Sequence, residues 1–211
     1  MVKIIFLRHG YSQYNKTKQF SGHIDIPLEP EGYEQAADSS RFILKNYDVD
    51  AIYSSDLSRA VETARPIADA LGLEIKKTPD LREINLGKWQ NHFIDDVPKL
   101  FAKDYEEYCD GTGTGRATDG ESYADVKVRA LRVMNEISLL YDGKTVVAAT
   151  HGGFLRAMLW ALQDGNVLLK DVPIVPNASM TVVNFENGKG TVEVFGYNDY
   201  LTSKDKNTAA E

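Results

Sequence analysis

The sequence predicts an α/β fold of three layers, with a mostly parallel central sheet, helices on both of its faces and a small helical cap inserted at about residues 85–120. Three observations lead there. Short apolar runs rich in β-branched residues alternate with longer stretches of helical spacing, the pattern of parallel strands joined by crossover helices. The chain has 211 residues, enough for one domain of ordinary size. Its composition, 43% hydrophobic and 26% charged, is that of a globular protein and too apolar for disorder as the main theme. We expect one domain over 1–201 and a frayed polar tail over 202–211.

Each element has a local signal. Val2 to Leu7 is an apolar run that reads as a buried strand ending at Arg8. Tyr33, Ala36, Ala37, Ser40, Ile43, Leu44 and Tyr47 fall at helical spacing, so a helix is expected from Pro30, which suits a first turn, to about Tyr47. Asp50 to Tyr53 is a second strand. A stripe from Leu57 to Leu71 gives a helix closed by Gly72, and Pro66 within it should kink or divide it. Leu73 to Lys77 reads as a strand and Ile94 to Cys109 as a helix. Asp110 to Gly120 is a Gly/Thr loop. Tyr123 to Tyr141 is a long helix, with Ser122 and Asp125 as a capping box. Lys144 to Thr150 is a buried strand, followed by Gly152-Gly153 and a helix to about Leu162. Two strands, Ala178–Phe185 and Thr191–Tyr197, meet at an Asn187-Gly188 turn.

Composition excludes some classes. The net charge of −7 argues against a nucleic-acid binder, which needs a basic surface. No apolar run is long enough to span a bilayer, and the one before Arg8 is too short for a secretion signal. Cys109 is the only cysteine, which rules out an internal disulfide and a thiolate metal cage, and we expect a reducing cytoplasm.

The chemistry gathers around two histidines. His9, in Arg8-His9-Gly10, and His151, in Thr150-His151-Gly152-Gly153, each follow a strand directly. Ligands of open α/β sheets bind at the carboxyl ends of strands. The glycines allow sharp turns and close approach, and the helix N-termini that follow suit an anion. Further patterns accompany them: Asn15; Phe20-Ser21-Gly22 before Asp25-Ile26-Pro27-Leu28; Glu31 to Ala36; Ser54-Ser55-Asp56-Leu57-Ser58-Arg59-Ala60 through Thr63-Ala64; Leu81-Arg82-Glu83-Ile84-Asn85-Leu86-Gly87; and Gly120-Glu121-Ser122. In this order the chain resembles the histidine phosphatase superfamily, in the branch that contains cofactor-dependent phosphoglycerate mutases. The resemblance runs from about Lys3 to Ser179.

Phosphoryl transfer needs a nucleophile, a clamp on the charged oxygens and a proton donor for the leaving oxygen. The resemblance makes His9 the nucleophile, passing through a phosphohistidine. Attack by neutral imidazole requires the other ring nitrogen to donate to a carbonyl. Arg8 and Arg59 supply guanidinium forks for phosphate, and His151 donates to the same oxygens, best when protonated. The resemblance also places Asn15 and the Gly152 backbone around the phosphate. Ser21 and Gly22 either contact the substrate or form a simple turn. It implies no metal and no cofactor. Glu83 is the expected proton shuttle, with a raised pKa; its local alternative is a pair with Arg82.

Other features read as structural. Arg129 fits a solvated helix face, and His23 and His92 surface positions at the pocket rim. Gly111 to Gly115 is a lid connection rather than a nucleotide loop. Asn177-Ala178-Ser179 is a turn near the pocket. The aromatics Trp89, Phe93, Phe101, Tyr105 and Tyr108 either cover the substrate or pack the cap.

The expected function is a phosphomonoester hydrolase acting on a small phosphorylated metabolite, such as a sugar phosphate, a phosphoglycerate-like acid, a nucleoside monophosphate or α-ribazole phosphate. The alternatives are a phosphoglycerate mutase and a non-catalytic phospho-ligand binding protein. The short acidic stretch from Asn85 to Gly120 favours the hydrolase over a mutase. A monomer or homodimer is expected.

Overall fold

The computed structural model describes residues 1–163 and 167–203. The tail expected to fray lies, from residue 204 on, outside the described residues. Six strands form one sheet: β1 (Val2–Arg8), β2 (Ala51–Ser54), β3 (Ile75–Lys77), β4 (Thr145–Thr150), β5 (Met180–Glu186) and β6 (Lys189–Tyr197), in the order β3-β2-β4-β1-β5-β6. The first four run parallel, and β5 and β6 add an antiparallel edge. The seven α-helices among the described residues are α1 (Gln13–Thr17), α2 (Pro30–Asn46), α3 (Ser58–Leu71), α4 (Val97–Leu100), α5 (Ala102–Tyr108), α6 (Tyr123–Leu140) and α7 (Gly152–Ala161).

Side chains alternate across the pleat and build two cores. Ile5 and Leu7 of β1, Ile52 of β2 and Val147 and Ala149 of β4 face α2 and α3. Ile4, Phe6, Tyr53, Val146 and Ala148 face α6, α7 and the cap. Both faces are therefore covered, as a parallel sheet requires.

The strands fall within two residues of expectation at each end. Ser122 and Asp125 form the expected capping box of α6. Asn187 and Gly188 both take positive φ, 51° and 77°, and join β5 to β6. Pro66 does not divide α3, which runs unbroken from Ser58 to Leu71. Ala60, Ala64, Ile67 and Ala68 stay on one buried face, and that packing outweighs the missing N–H. Ile94–Cys109 is not one helix but two short ones, separated where Phe101 leaves helical conformation at φ −130°, ψ 41°. The break lets Phe101, Tyr105 and Tyr108 all converge on the fully buried Trp89, at ring-centroid distances of 6.4, 5.7 and 5.0 Å. Those aromatics are the cap's own core.

No helix among the described residues is long and apolar enough to cross a membrane.

Candidate active site

The strand register sets the site. Arg8 of β1 lies opposite Thr150 of β4, so His9 and His151 leave adjacent parallel strands at the same level. The His9 N–H donates to the Thr150 carbonyl at 2.9 Å, and the two imidazoles face each other with ring centroids 5.1 Å apart. Both residues are fully buried. From this edge the chain turns to α2 and α3 on one face and to α7 on the other, the crevice where ligands of such sheets bind.

His9 is held in one tautomer. Its Nδ1 lies 2.8 Å from the Gly10 carbonyl. A carbonyl only accepts, so Nδ1 carries the hydrogen and Nε2 the lone pair. The Gly10 N–H donates to Thr63 Oγ1 at 3.0 Å, which ties the turn to α3. A β-carbon on Gly10 would stand 2.5 Å from the Gly32 carbonyl oxygen, so this close packing of the turn on α2 needs glycine. On the other side, Asn177 Nδ2 and the Ala178 N–H both donate to the His9 carbonyl at 3.1 Å.

Two arginines lie buried around the imidazoles. Arg8 donates through Nη1 to the Val175 carbonyl. Arg59, in the first turn of α3, donates to the carbonyls of Ile24 at 3.0 Å and Gly22 at 2.9 Å, which places the Ser21-Gly22 turn against it. Asn15 Oδ1 accepts from Ser12 and from Asn177 Nδ2 at 3.2 Å, so the amide's N–H donors occupy its opposite edge. Gly152 is the first residue of α7, and the N-terminal dipole of that helix begins beside His151.

His151 reports the electrostatics. Burial pushes its pKa well below the usual imidazole value, and Arg59, His9, Arg129 and Arg8 push it further the same way. Neither of its ring nitrogens has a hydrogen-bond partner among the described residues. The imidazole is therefore neutral, not protonated as phosphate binding prefers, until an anion arrives to offset the surrounding positive charge. A buried donor without a partner beside this concentration of positive charge suits a tetrahedral oxyanion.

Glu83 enters from the segment after β3 and is 2% exposed. Its Oε1 accepts from its own neighbour's N–H, Ile84, at 2.8 Å and from Phe154 in the first turn of α7 at 3.2 Å. The pairing of Glu83 with Arg82 does not form. Arg82 instead forks onto Asp56, with Nε to Oδ1 at 2.6 Å, and holds that carboxyl below its usual range.

The residues of the site run from Arg8 to Gly152, and the match to known proteins takes in that whole range. A family model described as "Histidine phosphatase superfamily (branch 1)" matches residues 4–198. The chain belongs to this superfamily. It is 30% identical to phosphoglycerate mutase-like protein 4 of Arabidopsis thaliana, covering 92% of this chain and 84% of that one. It is 29% identical to phosphoserine phosphatase 1 of Hydrogenobacter thermophilus, over 91% of this chain and 90% of the relative. Among solved structures, phosphoserine phosphatase from Entamoeba histolytica in complex with phosphoserine superposes with a TM-score of 0.84 at 25% identity, over 95% of this chain and 100% of that one. The same enzyme in complex with 3-phosphoglyceric acid gives the same score, identity and coverage.

In this member of the superfamily the residues expected at the site from sequence, His9, Glu83, Arg8, Arg59, His151, Asn15, Ser21, Gly22 and Gly152, lie around the carboxyl ends of β1 and β4. Two readings are corrected. Arg129 is not on a solvated face: it is 8% exposed and donates to the carbonyls of Asp80, Arg82 and Glu83. His23 is half-buried, with Nε2 2.8 Å from the Glu83 carbonyl, whereas His92 is exposed as expected. Thr63, named from sequence only within the pattern after Arg59 and given no role there, steadies the Gly10 turn. Among the described residues, no group of three or more His, Cys, Asp or Glu side chains is arranged to hold a metal ion.

Proposed function

We propose that the chain hydrolyses phosphomonoesters of small metabolites through a covalent phosphohistidine on His9. The tautomer of His9 carries this reading: Nδ1–H is spent on Gly10, so Nε2 bears the lone pair that attacks phosphorus, and the His151 ring lies close by with its centroid 5.1 Å from that of His9. In the first step Nε2 bonds to phosphorus as the bond to the ester oxygen breaks, and Glu83 gives that oxygen a proton. In the second, Glu83 takes a proton from water, the water oxygen attacks phosphorus, and the N–P bond breaks to restore His9. Arg8, Arg59, Asn15, His151 and the Gly152 N–H share the charge of the transferring group. Ser21 and Gly22 meet the leaving group.

The relatives named as phosphoserine phosphatases, one of them seen with phosphoserine and with 3-phosphoglyceric acid, support a small phosphorylated acid as the first substrates to try. An exposed lone thiol at Cys109 is in keeping with a reducing cytoplasm.

Turnover of p-nitrophenyl phosphate tests the proposal. The wild-type protein should release phosphate and, when quenched with acid-free denaturant, retain a phosphoryl group on His9, whereas His9→Ala should do neither. Turnover by His9→Ala would overturn the covalent step, and an inert wild type would favour a binding protein. Incubation with 3-phosphoglycerate separates hydrolase from mutase: inorganic phosphate is expected, and 2-phosphoglycerate would mark a mutase.

A further inference from the structure

We infer that Arg129, braced by Glu121, is a positioning residue that fixes the backbone of Glu83, and that His23 closes the same clamp from the opposite side. The inference rests on the reading of Glu83 as the proton shuttle.

The segment from Asp80 to Asn85 passes from a single 3-10 turn at Pro79–Leu81 into irregular chain, so its carbonyls need partners from elsewhere. Arg129 provides them. From the second turn of α6 its Nη1 donates to the Asp80 carbonyl at 3.0 Å and to Arg82 at 2.6 Å, and its Nη2 donates to Glu83 at 2.8 Å. One planar fork thus reads three carbonyls, a task for which a lysine has the charge but not the shape.

A buried guanidinium is costly without a counter-charge. Glu121 supplies one in a two-point pair, Oε1 to Nε and Oε2 to Nη2, both at 3.1 Å. The same glutamate accepts from the Asn85 N–H at 2.8 Å, and its own N–H donates to the Asn85 carbonyl at 2.7 Å. Both ends of the segment are therefore anchored to one ion pair.

His23 acts on the other lone pair of the Glu83 carbonyl, 2.8 Å away, so its Nε2 carries the hydrogen. It comes from the Ser21–Ile24 loop that Arg59 also holds. With its carbonyl gripped from two sides and its carboxylate gripped by Ile84 and Phe154, Glu83 has little freedom in either backbone or side chain. A proton donor that drifts by an ångström loses most of its value.

The test is the dependence of kcat/KM on the leaving group, measured over a series from p-nitrophenyl to phenyl phosphate. A nitrophenolate leaves with little need of a proton, whereas a phenolate needs one. Glu83→Gln defines the effect of losing the shuttle: a steeper dependence. Arg129→Lys and Glu121→Gln should steepen it as well, losing about tenfold or more on phenyl phosphate and little on p-nitrophenyl phosphate. His23→Ala should do the same more weakly. It sits on the solvent side of the clamp with 26% of its side chain exposed, and it decides the matter if the Arg129 variant fails to fold. Combined with Glu83→Gln, none of them should steepen the dependence further. A steep Glu83→Gln response beside unchanged slopes for the clamp variants would overturn the clamp alone. A flat Glu83→Gln response would remove the shuttle, and the clamp's purpose with it.

Discussion

Gly153 and Glu83 are in contact: a β-carbon at position 153 would stand 2.5 Å from Glu83 Oε1 and 2.8 Å from the Ile84 side chain. The second glycine after His151 therefore leaves room for the Glu83 carboxylate, the proposed proton shuttle, rather than for the ligand itself. Oε1 can settle on the Phe154 N–H only because that space is empty.

Gly153→Ala should displace Glu83 while sparing the rest of the site. A shift of about 1 Å at a reacting group costs on the order of a hundredfold in rate. We expect kcat/KM for phenyl phosphate to fall by about that factor while the protein stays folded, since position 153 lies within a helix where alanine is otherwise favoured. Near-normal turnover of phenyl phosphate by the alanine variant would mean that the carboxylate need not sit where it does.

Arg59→Lys keeps the charge beside the two imidazoles but loses the fork. Arg59 holds the carbonyls of Gly22 and Ile24 at 2.9 and 3.0 Å. Each charge-assisted hydrogen bond of this kind contributes about 1.5–3 kcal/mol. Loss of one should raise KM by about tenfold and release the Ser21–Ile24 loop, visible as faster amide exchange there. Unchanged KM with unchanged exchange would show that the charge alone suffices.

The proposed clamp consists of Arg8, Arg59, His151 and the start of α7. Phosphatase activity should therefore survive dialysis against EDTA within error of the untreated enzyme. Activity restored only by added divalent metal would contradict a clamp made of side chains and backbone alone.

Much of this was legible in the chain, for reasons that differ by element. β1 and β4 are buried on both faces over nearly all their length, so their central residues form apolar runs that are hard to mistake. The two histidines stand out because glycine follows each. Their approach to 5.1 Å is a matter of register, Arg8 against Thr150, which no local pattern encodes. Arg129 was misjudged because a charged residue on a helix usually faces water. A signal was present: position 129 lies three after Val126 and four before Val133, on the apolar stripe itself, and eight after Glu121. What makes burial tolerable there is a row of carbonyls 46 to 49 residues earlier, out of reach of any pattern within the helix. The cap misled for a similar reason, since the demand of Trp89 for three aromatic neighbours breaks a helix that spacing alone would continue.

The lowered pKa of His151 makes stability depend on pH in a definite direction. Unfolded, the imidazole has its ordinary pKa of about 6.5. Folded, burial and then Arg59, His9, Arg129 and Arg8 keep it neutral to well below that value. Above about pH 6.5 neither state is protonated and the group contributes no slope. Below it the unfolded chain takes up a proton that the folded chain refuses, so acid favours unfolding, by up to about 1.4 kcal/mol per pH unit for this one group. His23 is lowered by burial and adds to the slope in the same direction. Asp56 and Asp125, whose pKa values are also lowered, act only at more acidic pH, below the ordinary carboxylate value of 3.8. Urea unfolding between pH 7 and 5 should therefore show stability falling with acid, and His151→Asn should flatten that fall by one proton's worth. Sulfate, a tetrahedral anion whose charge is fixed over this range, should reverse the effect by favouring the protonated ring. Calorimetry in buffers of different ionisation enthalpy should then register proton uptake on sulfate binding near pH 6, absent in His151→Asn. An equal acid slope in both proteins, with no uptake in either, would mean that His151 does not feel the charges gathered around it.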